Sequence, residues 1–161
     1  MPDLLVSLYS SKFDELLSQA VAPPGVTIRP PLAPELHIVR DWVLTRFSEN
    51  WASEVVVAFS RQPVGCLIAV DDAGLQGFAC YDVTARGFFG PTGVAPEARG
   101  KGIGIALLAA CLQALKTLGH AYAFVGDAGP VDFYVRSAGA IVIPASDKGI
   151  YEGMLRTTTK T

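Results

Sequence analysis

Apolar residues recur along this chain in two rhythms, and the changes between them mark out the elements. Residues 4–9 have the composition of a strand. Ser11 is placed to cap a helix through Ala20, with Phe13, Leu16, Leu17 and Ala20 on one face. The run Ala22-Pro23-Pro24-Gly25 stops it. Residues 26–29 read as a strand, followed by a helix over about 34–47 with Leu36, Val39, Val43 and Phe47 on one side. Ser48 caps a second helix carrying Trp51, Val55 and Phe59, which Pro63 ends. Strands are expected over 64–70, 75–82 and 88–94, separated by turns at Asp71-Asp72-Ala73-Gly74 and Thr84-Ala85-Arg86-Gly87. Gly87, Gly90 and Gly93 fall at every third position around Pro91, a spacing that weakens the last strand and predicts a bulge or a close backbone approach.

Next comes a helix to about Leu118 that is apolar nearly all round, so both of its faces should be covered. Gly119 follows it as a C′ glycine. The strand at 121–125 must run parallel to the one before the helix, because a helix connects them. Pro130 opens a short helix with Phe133 and Tyr134, and residues 140–143 and 150–155 are expected to close the fold as an antiparallel pair. The alternation of elements gives an α/β fold. Its organisation is read as a strand-helix extension over 1–25, a main domain over 26–156, and a frayed tail over 157–161.

Composition narrows the function. Half of the 161 residues are hydrophobic and 17% are charged, which suits one domain with a single core. A net charge of −2 offers no electrostatic footprint for nucleic acid or an anionic membrane, so any anion site must be built locally. No uninterrupted apolar run reaches membrane-spanning length. Cys66, Cys80 and Cys111 are widely spaced within apolar runs, which points to a reducing compartment, the cytoplasm. His37 and His120 are isolated, and no metal site is expected.

The stretch that carries chemistry runs from Gly93 to Gly104, Gly-Val-Ala-Pro-Glu-Ala-Arg-Gly-Lys-Gly-Ile-Gly, ahead of the long helix. A helix start leaves about four N–H groups without intrahelical partners and carries roughly half a positive charge. Glycines let a ligand come close, and Arg99 and Lys101 add charge, so a phosphate or pyrophosphate is the natural guest. A P-loop needs Ser or Thr after its lysine, and Gly102 follows Lys101. A dinucleotide fingerprint needs a third glycine where Leu107 or Ile105 stands. It also needs an acid where His120 and Ala121 stand.

Arg99-x-x-Gly102-x-Gly104 resembles the pyrophosphate-binding signature of the GNAT acetyltransferase superfamily. Asp127 to Tyr134 resembles that family's second block, with Asp127 in place of the usual asparagine. The likeness covers roughly residues 26–156. It implies a mixed, mostly antiparallel sheet of about seven strands flanked by helices, with a splayed parallel pair that admits acetyl-pantetheine. It further implies acetyl-CoA as co-substrate and direct transfer to an amine, with no metal. The main chain of Thr92, Gly93 and Val94 would line the thioester arm. Residues Arg99, Gly100, Lys101, Gly102, Ile103 and Gly104, with Asp127, would hold the diphosphate side. Tyr134 is the candidate leaving-group donor, and Glu54 and Asp82 are candidate bases. Trp42, Phe47 and Trp51 are candidates to wall the acceptor site, or to pack the core. Gly139 lies five places after Tyr134 and Ala140 replaces the family's aromatic, so this helix end should differ. The acceptor would be a small-molecule or peptide amine, and the extension a candidate homodimer contact. The rival reading is a non-catalytic acyl-CoA-binding sensor or interaction module; a dinucleotide-dependent oxidoreductase is a distant third.

Overall fold

In the computed structural model, residues 1–158 are described; of the tail expected to fray, 159–161 lie outside them. Seven strands form one sheet: β1 Leu4–Ser7, β2 Thr27–Arg29, β3 Cys66–Asp71, β4 Gly74–Tyr81, β5 Phe88–Val94, β6 Tyr122–Val125 and β7 Ile141–Val142. Their order across the sheet is β2-β3-β4-β5-β6-β1-β7. Every pairing is antiparallel except β5 with β6. Five helices cover the faces: α1 Ser11–Gln19, α2 Leu36–Arg46, α3 Glu49–Ser60, α4 Ile103–Thr117 and α5 Val131–Ala138.

The core divides at the sheet. On one face Val39 and Val43 of α2 and Val55 and Ala58 of α3 close over Ile68, Phe78 and Cys80. On the other, α1, α4 and α5 bring Phe13, Leu107, Leu112 and Tyr134 down onto Ala79, Phe89 and Ala123. Helix α4 can lie close because Gly77 of β4 has no side chain. A Cβ there would stand 3.2 Å from Ile103 Cγ2 and 3.2 Å from Leu107 Cδ1. Ser48 Oγ accepts the Trp51 N–H at 3.1 Å, as the capping pattern predicts. At α1 the cap is Ser10 rather than Ser11, and its Oγ accepts from Phe13 N–H at 3.1 Å.

The expected strand over 150–155 does not form. Gly149–Tyr151 is a short 3-10 turn, and Ile150 and Leu155 are exposed. The antiparallel place beside β7 is taken by β1, which pairs β7 through Leu4 and Leu5 and pairs β6 along its whole length. Leu4 and Val6 alternate inward and are fully buried, so β1 contributes apolar burial that residues 150–155 do not match. The 1–25 segment thus supplies a strand inside the sheet and, through Phe13 and Leu16, part of its core.

Candidate functional site

The site begins with a fault in β5. Tyr81 faces Phe89 while Ala79 faces Thr92, so two steps on β4 oppose three on β5. One residue is therefore extra, a bulge at Gly90-Pro91 where the glycine spacing placed it. Across its other edge β5 meets β6 for only two rungs, Phe88 with Phe124 and Phe89 with Val125. Beyond them the strands part, and residues 90–94 have no strand partner on that side.

Which backbone groups face this fork follows from the ladder. Ala95 N–H donates to Gln76 O at 2.8 Å, which makes Gln76–Ala95 a hydrogen-bonded pair. Pairs alternate along an antiparallel ladder, so Gly77–Val94 and Ala79–Thr92 are the non-bonded ones. The main-chain N–H and C=O of Thr92 and Val94 therefore point away from β4 and into the fork. Gly93, between them, turns its Cα toward α2. A Cβ there would meet the Phe47 ring at 2.4 to 2.9 Å. Trp42, Phe47 and Trp51 all surround Phe78, with ring centroids 5.0 to 6.2 Å apart. They are half-buried, packed as core and also forming the wall behind Gly93.

From Val94 the chain passes through a 3-10 turn at Pro96–Ala98 to Gly100, Lys101 and Gly102, all exposed. Gly100 and Gly102 take φ of +76° and +91°, in the left-handed region glycine alone enters freely, and nothing lies within 4 Å of where a Cβ would be. Helix α4 makes its first internal bond from Ala106 N–H to Gly102 O at 3.1 Å, so the N–H groups of Ile103, Gly104 and Ile105 have no carbonyl to reach. Arg99 folds back, its Nε donating to Val94 O at 3.2 Å. Lys101 is exposed and free of carboxylates among the described residues.

Tyr134 comes to the root of the fork from α5, edge-on to Phe89 with centroids 6.1 Å apart. It is buried, and its hydroxyl makes no hydrogen bond to the protein among the described residues. Burial pushes its phenol up to about 12. The altered helix end is an αL cap: Gly139 has φ +66° and donates to Val135 O at 3.1 Å.

Glu54 and Asp82 part company. Glu54, on α3, is half-buried and accepts a hydrogen bond from Thr84 Oγ1; burial raises its carboxyl above the usual range, the Thr84 bond opposing. Tyr151 lies beside Thr84, its ring against Gly126 at the end of β6. Sequence reasoning missed Tyr151, since a strand over 150–155 gave no reason to bring it here. Asp82 stands beyond the end of β4, next to the start of β5, about five residues or on the order of 15 Å from Val94. Burial pushes the Asp82 carboxyl up, but Gly87 N–H at 2.7 Å, Arg86 at 2.8 Å and His120 at 3.4 Å outweigh it and hold it below the usual range. Those contacts pin the β4–β5 turn. Asp127, just past β6 with φ +49°, donates its N–H to Asp3 Oδ1 at 3.0 Å and leaves its carboxylate exposed.

A second concavity of about 290 Å³ opens beside the first turn of α4, lined by Lys12, Leu16 and Gln19 of α1, Ile105 of α4, and Phe133, Arg136 and Ser137 of α5. Among the described residues no His, Cys, Asp and Glu gather in a group that could hold a metal ion, and no helix is long and apolar enough to cross a membrane.

Residues 36–139 match the Acetyltransferase (GNAT) family. A GCN5-related N-acetyltransferase from Sphaerobacter thermophilus superposes with a TM-score of 0.68 at 25% identity, over 88% of this chain and 48% of that one. The glucosamine N-acetyltransferase region of a fungal multi-domain beta-N-acetylglucosaminidase gives 0.65 at 18% identity, over 88% of this chain and 19% of that one. A GNAT family acetyltransferase from Brucella melitensis, in complex with acetyl-CoA, gives 0.50 at 21%, over 68% and 80%. The fungal and Brucella likenesses speak to fold. This chain spans about half of the Sphaerobacter protein and a fifth of the fungal one. No curated protein sequence matches the chain.

Proposed function

The chain belongs to the GNAT acetyltransferase family, and from that premise we propose that it is an acetyl-CoA-dependent N-acetyltransferase acting by direct transfer to an amine. The observation that carries the proposal is the continuity of two sets of unpaired main-chain groups. The free N–H groups of Ile103, Gly104 and Ile105 open onto an exposed glycine turn. That turn leads straight into the fork, where Thr92 presents its N–H and C=O and Val94 its N–H. The first set suits a diphosphate, with Lys101 and the helix dipole adding charge. The second suits the amides of a pantetheine arm laid down like an added strand. The residues present therefore fit the group.

Acetyl-CoA supplies the thioester: the amine nitrogen bonds to its carbonyl carbon, the C–S bond breaks, and coenzyme A leaves as a thiolate. Val94 N–H is the donor proposed for the carbonyl oxygen as charge develops on it. Tyr134 is proposed to serve the leaving sulfur with a hydrogen bond rather than a proton. A phenol held near 12 giving its proton to a thiolate of pKa about 8.5 is uphill by roughly 5 kcal/mol. Of the two candidate bases, Glu54 is the one proposed to take the amine proton, directly or through water, because its half-buried carboxyl is poised upward. Asp82 is already engaged by Gly87, Arg86 and His120. The acceptor is a small-molecule or peptide amine. Three buried free cysteines suit a reducing compartment, the cytoplasm.

Two measurements test this. Calorimetric titration with acetyl-CoA should show one site, and a thiol-release screen over amines, amino acids, polyamines and peptides should show turnover with at least one class. Absence of binding at millimolar acetyl-CoA overturns the proposal. Binding without release across the panel favours an acyl-CoA sensor instead.

A further inference from the structure

The corner where α3 and α4 both end holds a cavity of about 230 Å³. Arg61 and Gln62 reach it from the end of α3, Asp82 and Arg86 from the β4–β5 turn, and Leu118 and His120 from the end of α4. The charges of this lining do not balance. Asp82 is its one carboxylate, and Gly87 N–H at 2.7 Å, Arg86 Nη1 at 2.8 Å and His120 Nε2 at 3.4 Å already engage it. Arg61 meets no carboxylate within salt-bridge reach among the described residues. Its Nη2 makes one long bond, 3.4 Å to Val83 O. Its Nε is buried and has no acceptor among the described residues. A charged donor left so bears the full cost of its lost hydration, and calls for a partner.

Helix capping does not account for Arg61. The ends of α3 and α4 carry partial negative charge, but main-chain donors already answer them. Arg61 N–H and Gly65 N–H reach Ala58 O at 3.2 and 2.9 Å. Leu118, Gly119 and His120 N–H reach the carbonyls of Ala114, Lys116 and Leu115 at 3.0, 3.0 and 3.1 Å. The guanidinium is left over. We propose that this cavity is a second binding site, which takes a small oxyanion, a carboxylate or phosphate group, on the fork of Arg61 with Arg86 beside it. A planar guanidinium matches two oxygens of such a group at once. The cavity is several times the roughly 30 Å³ that one water occupies, so a group of this size fits. The site lies at the opposite end of β5 from Val94. It is therefore separate from the fork and the glycine turn, and does not rest on the acetyl-CoA reading.

The test is a magnetic resonance titration of the full chain with inorganic phosphate and, separately, with succinate, against sodium chloride at matched ionic strength. For at least one of the two anions, Arg61 Nε–H and the amides of Gly87 and His120 should shift together and saturate, with Kd on the order of 1 mM or tighter. Phosphate alone assigns the site to a phosphate ester, and succinate alone to a carboxylate. Arg61→Gln, read at Gly87 and His120, should weaken binding about tenfold, the worth of one hydrogen bond to a charged group. Arg61→Lys keeps the charge and loses the fork, so it should fall between the two. Thermal unfolding checks that the variants fold; where one does not, the wild-type shifts still decide. Shifts that fail to saturate, that chloride reproduces, or that are confined to residues 102–105 overturn the inference. So does a folded Arg61→Gln protein that binds as wild type does.

Discussion

Replacing Gly93 by alanine isolates one feature of the site. Gly93 is not in the left-handed region, so an alanine there strains no backbone angle. Its nearest obstacle is Phe47, whose Cζ, Cε2 and Cε1 would lie 2.4, 2.7 and 2.9 Å from the new Cβ. All are well inside ordinary contact. The ring cannot easily step aside, because Trp42, Trp51 and Phe78 surround it at centroid distances of 5.9, 5.0 and 5.9 Å. Overpacking of this kind costs about 1–3 kcal/mol. For a domain of this size, 1 kcal/mol moves Tm by roughly 2–4 °C, so Gly93→Ala should melt about 2–12 °C below wild type. The cost should be relieved by shrinking the neighbour. Phe47→Leu destabilises alone, yet in the double variant it makes room for the methyl, so the two changes should cost less together than their sum. Chemical denaturation of the four proteins gives the coupling directly. Additivity within about 0.5 kcal/mol would show that Phe47 does not rest on Gly93 and would refute the reasoning.

Three further outcomes are expected. Tyr134→Phe should lower kcat by about tenfold to a hundredfold, the worth of one hydrogen bond to a developing charge, and leave acetyl-CoA Kd in place; with the phenol near 12, the wild-type rate profile should show no tyrosine limb below about pH 10. Unchanged turnover removes Tyr134 from the mechanism. Burial raises the Glu54 carboxyl, so folded Glu54 keeps a proton that the unfolded chain has released, and stability falls as pH rises through that window. Glu54→Gln should therefore gain stability over wild type as pH rises above the ordinary glutamate range in paired denaturation curves, while losing turnover; a variant that loses stability there sinks the burial argument. Glu35 behaves oppositely: the Arg29 hydrogen bond, at 2.8 Å, and Leu32 N–H hold it down to about 2. Its contribution is present above the ordinary glutamate range and lost as pH falls toward about 2, and because the pair is partly exposed Glu35→Gln should cost only about 1 kcal/mol at pH 7. An equal cost at pH 7 and pH 2.5 would contradict this.

Where chemistry and local conformation coincide, the chain was legible. The glycines at 87, 90 and 93 announced the bulge that the β4–β5 register shows. The exposed turn at Gly100 and Gly102 follows from glycines ahead of a helix start, as do the Ser48 cap and Gly119 at φ +102° past the end of α4. What could not be read locally was which segment would claim a place in the sheet. Residues 4–7 and 150–155 both carry strand composition, and nothing in either says that one will lie beside residues 141–142. The competition is settled by burial at long range, where Leu4 and Val6 vanish inside and Ile150 and Leu155 do not. Tyr151 went unnoticed for the same reason. Asp82 shows a different limit. It was singled out for lying at a strand end, yet β4 is antiparallel to β5, so the end of β4 lies beside the start of β5, at the opposite end of that strand from Val94. That much was implicit in the expected hairpin.

The placement of β1 also explains why the fork stands open. Two ladders meet there with only the Phe88–Phe124 and Phe89–Val125 rungs in common. On one side β5 is fixed by β4, and β4 by β3. On the other, β6 is held by four rungs to β1, from Leu4–Val125 to Ser7–Tyr122, and β1 by β7. Each wall is thus anchored by its own neighbour, and the β5 backbone groups turned into the fork are left without a strand partner. A gap between two such walls does not have to be pried apart when a ligand enters, so little of its binding energy goes into separating strands. The same segment that anchors β6 continues into α1, which lines the groove beside α4. The amino-terminal residues therefore shape two surfaces at once. Through β1 they hold one wall of the fork, and through α1 they line the groove beside the first turn of α4.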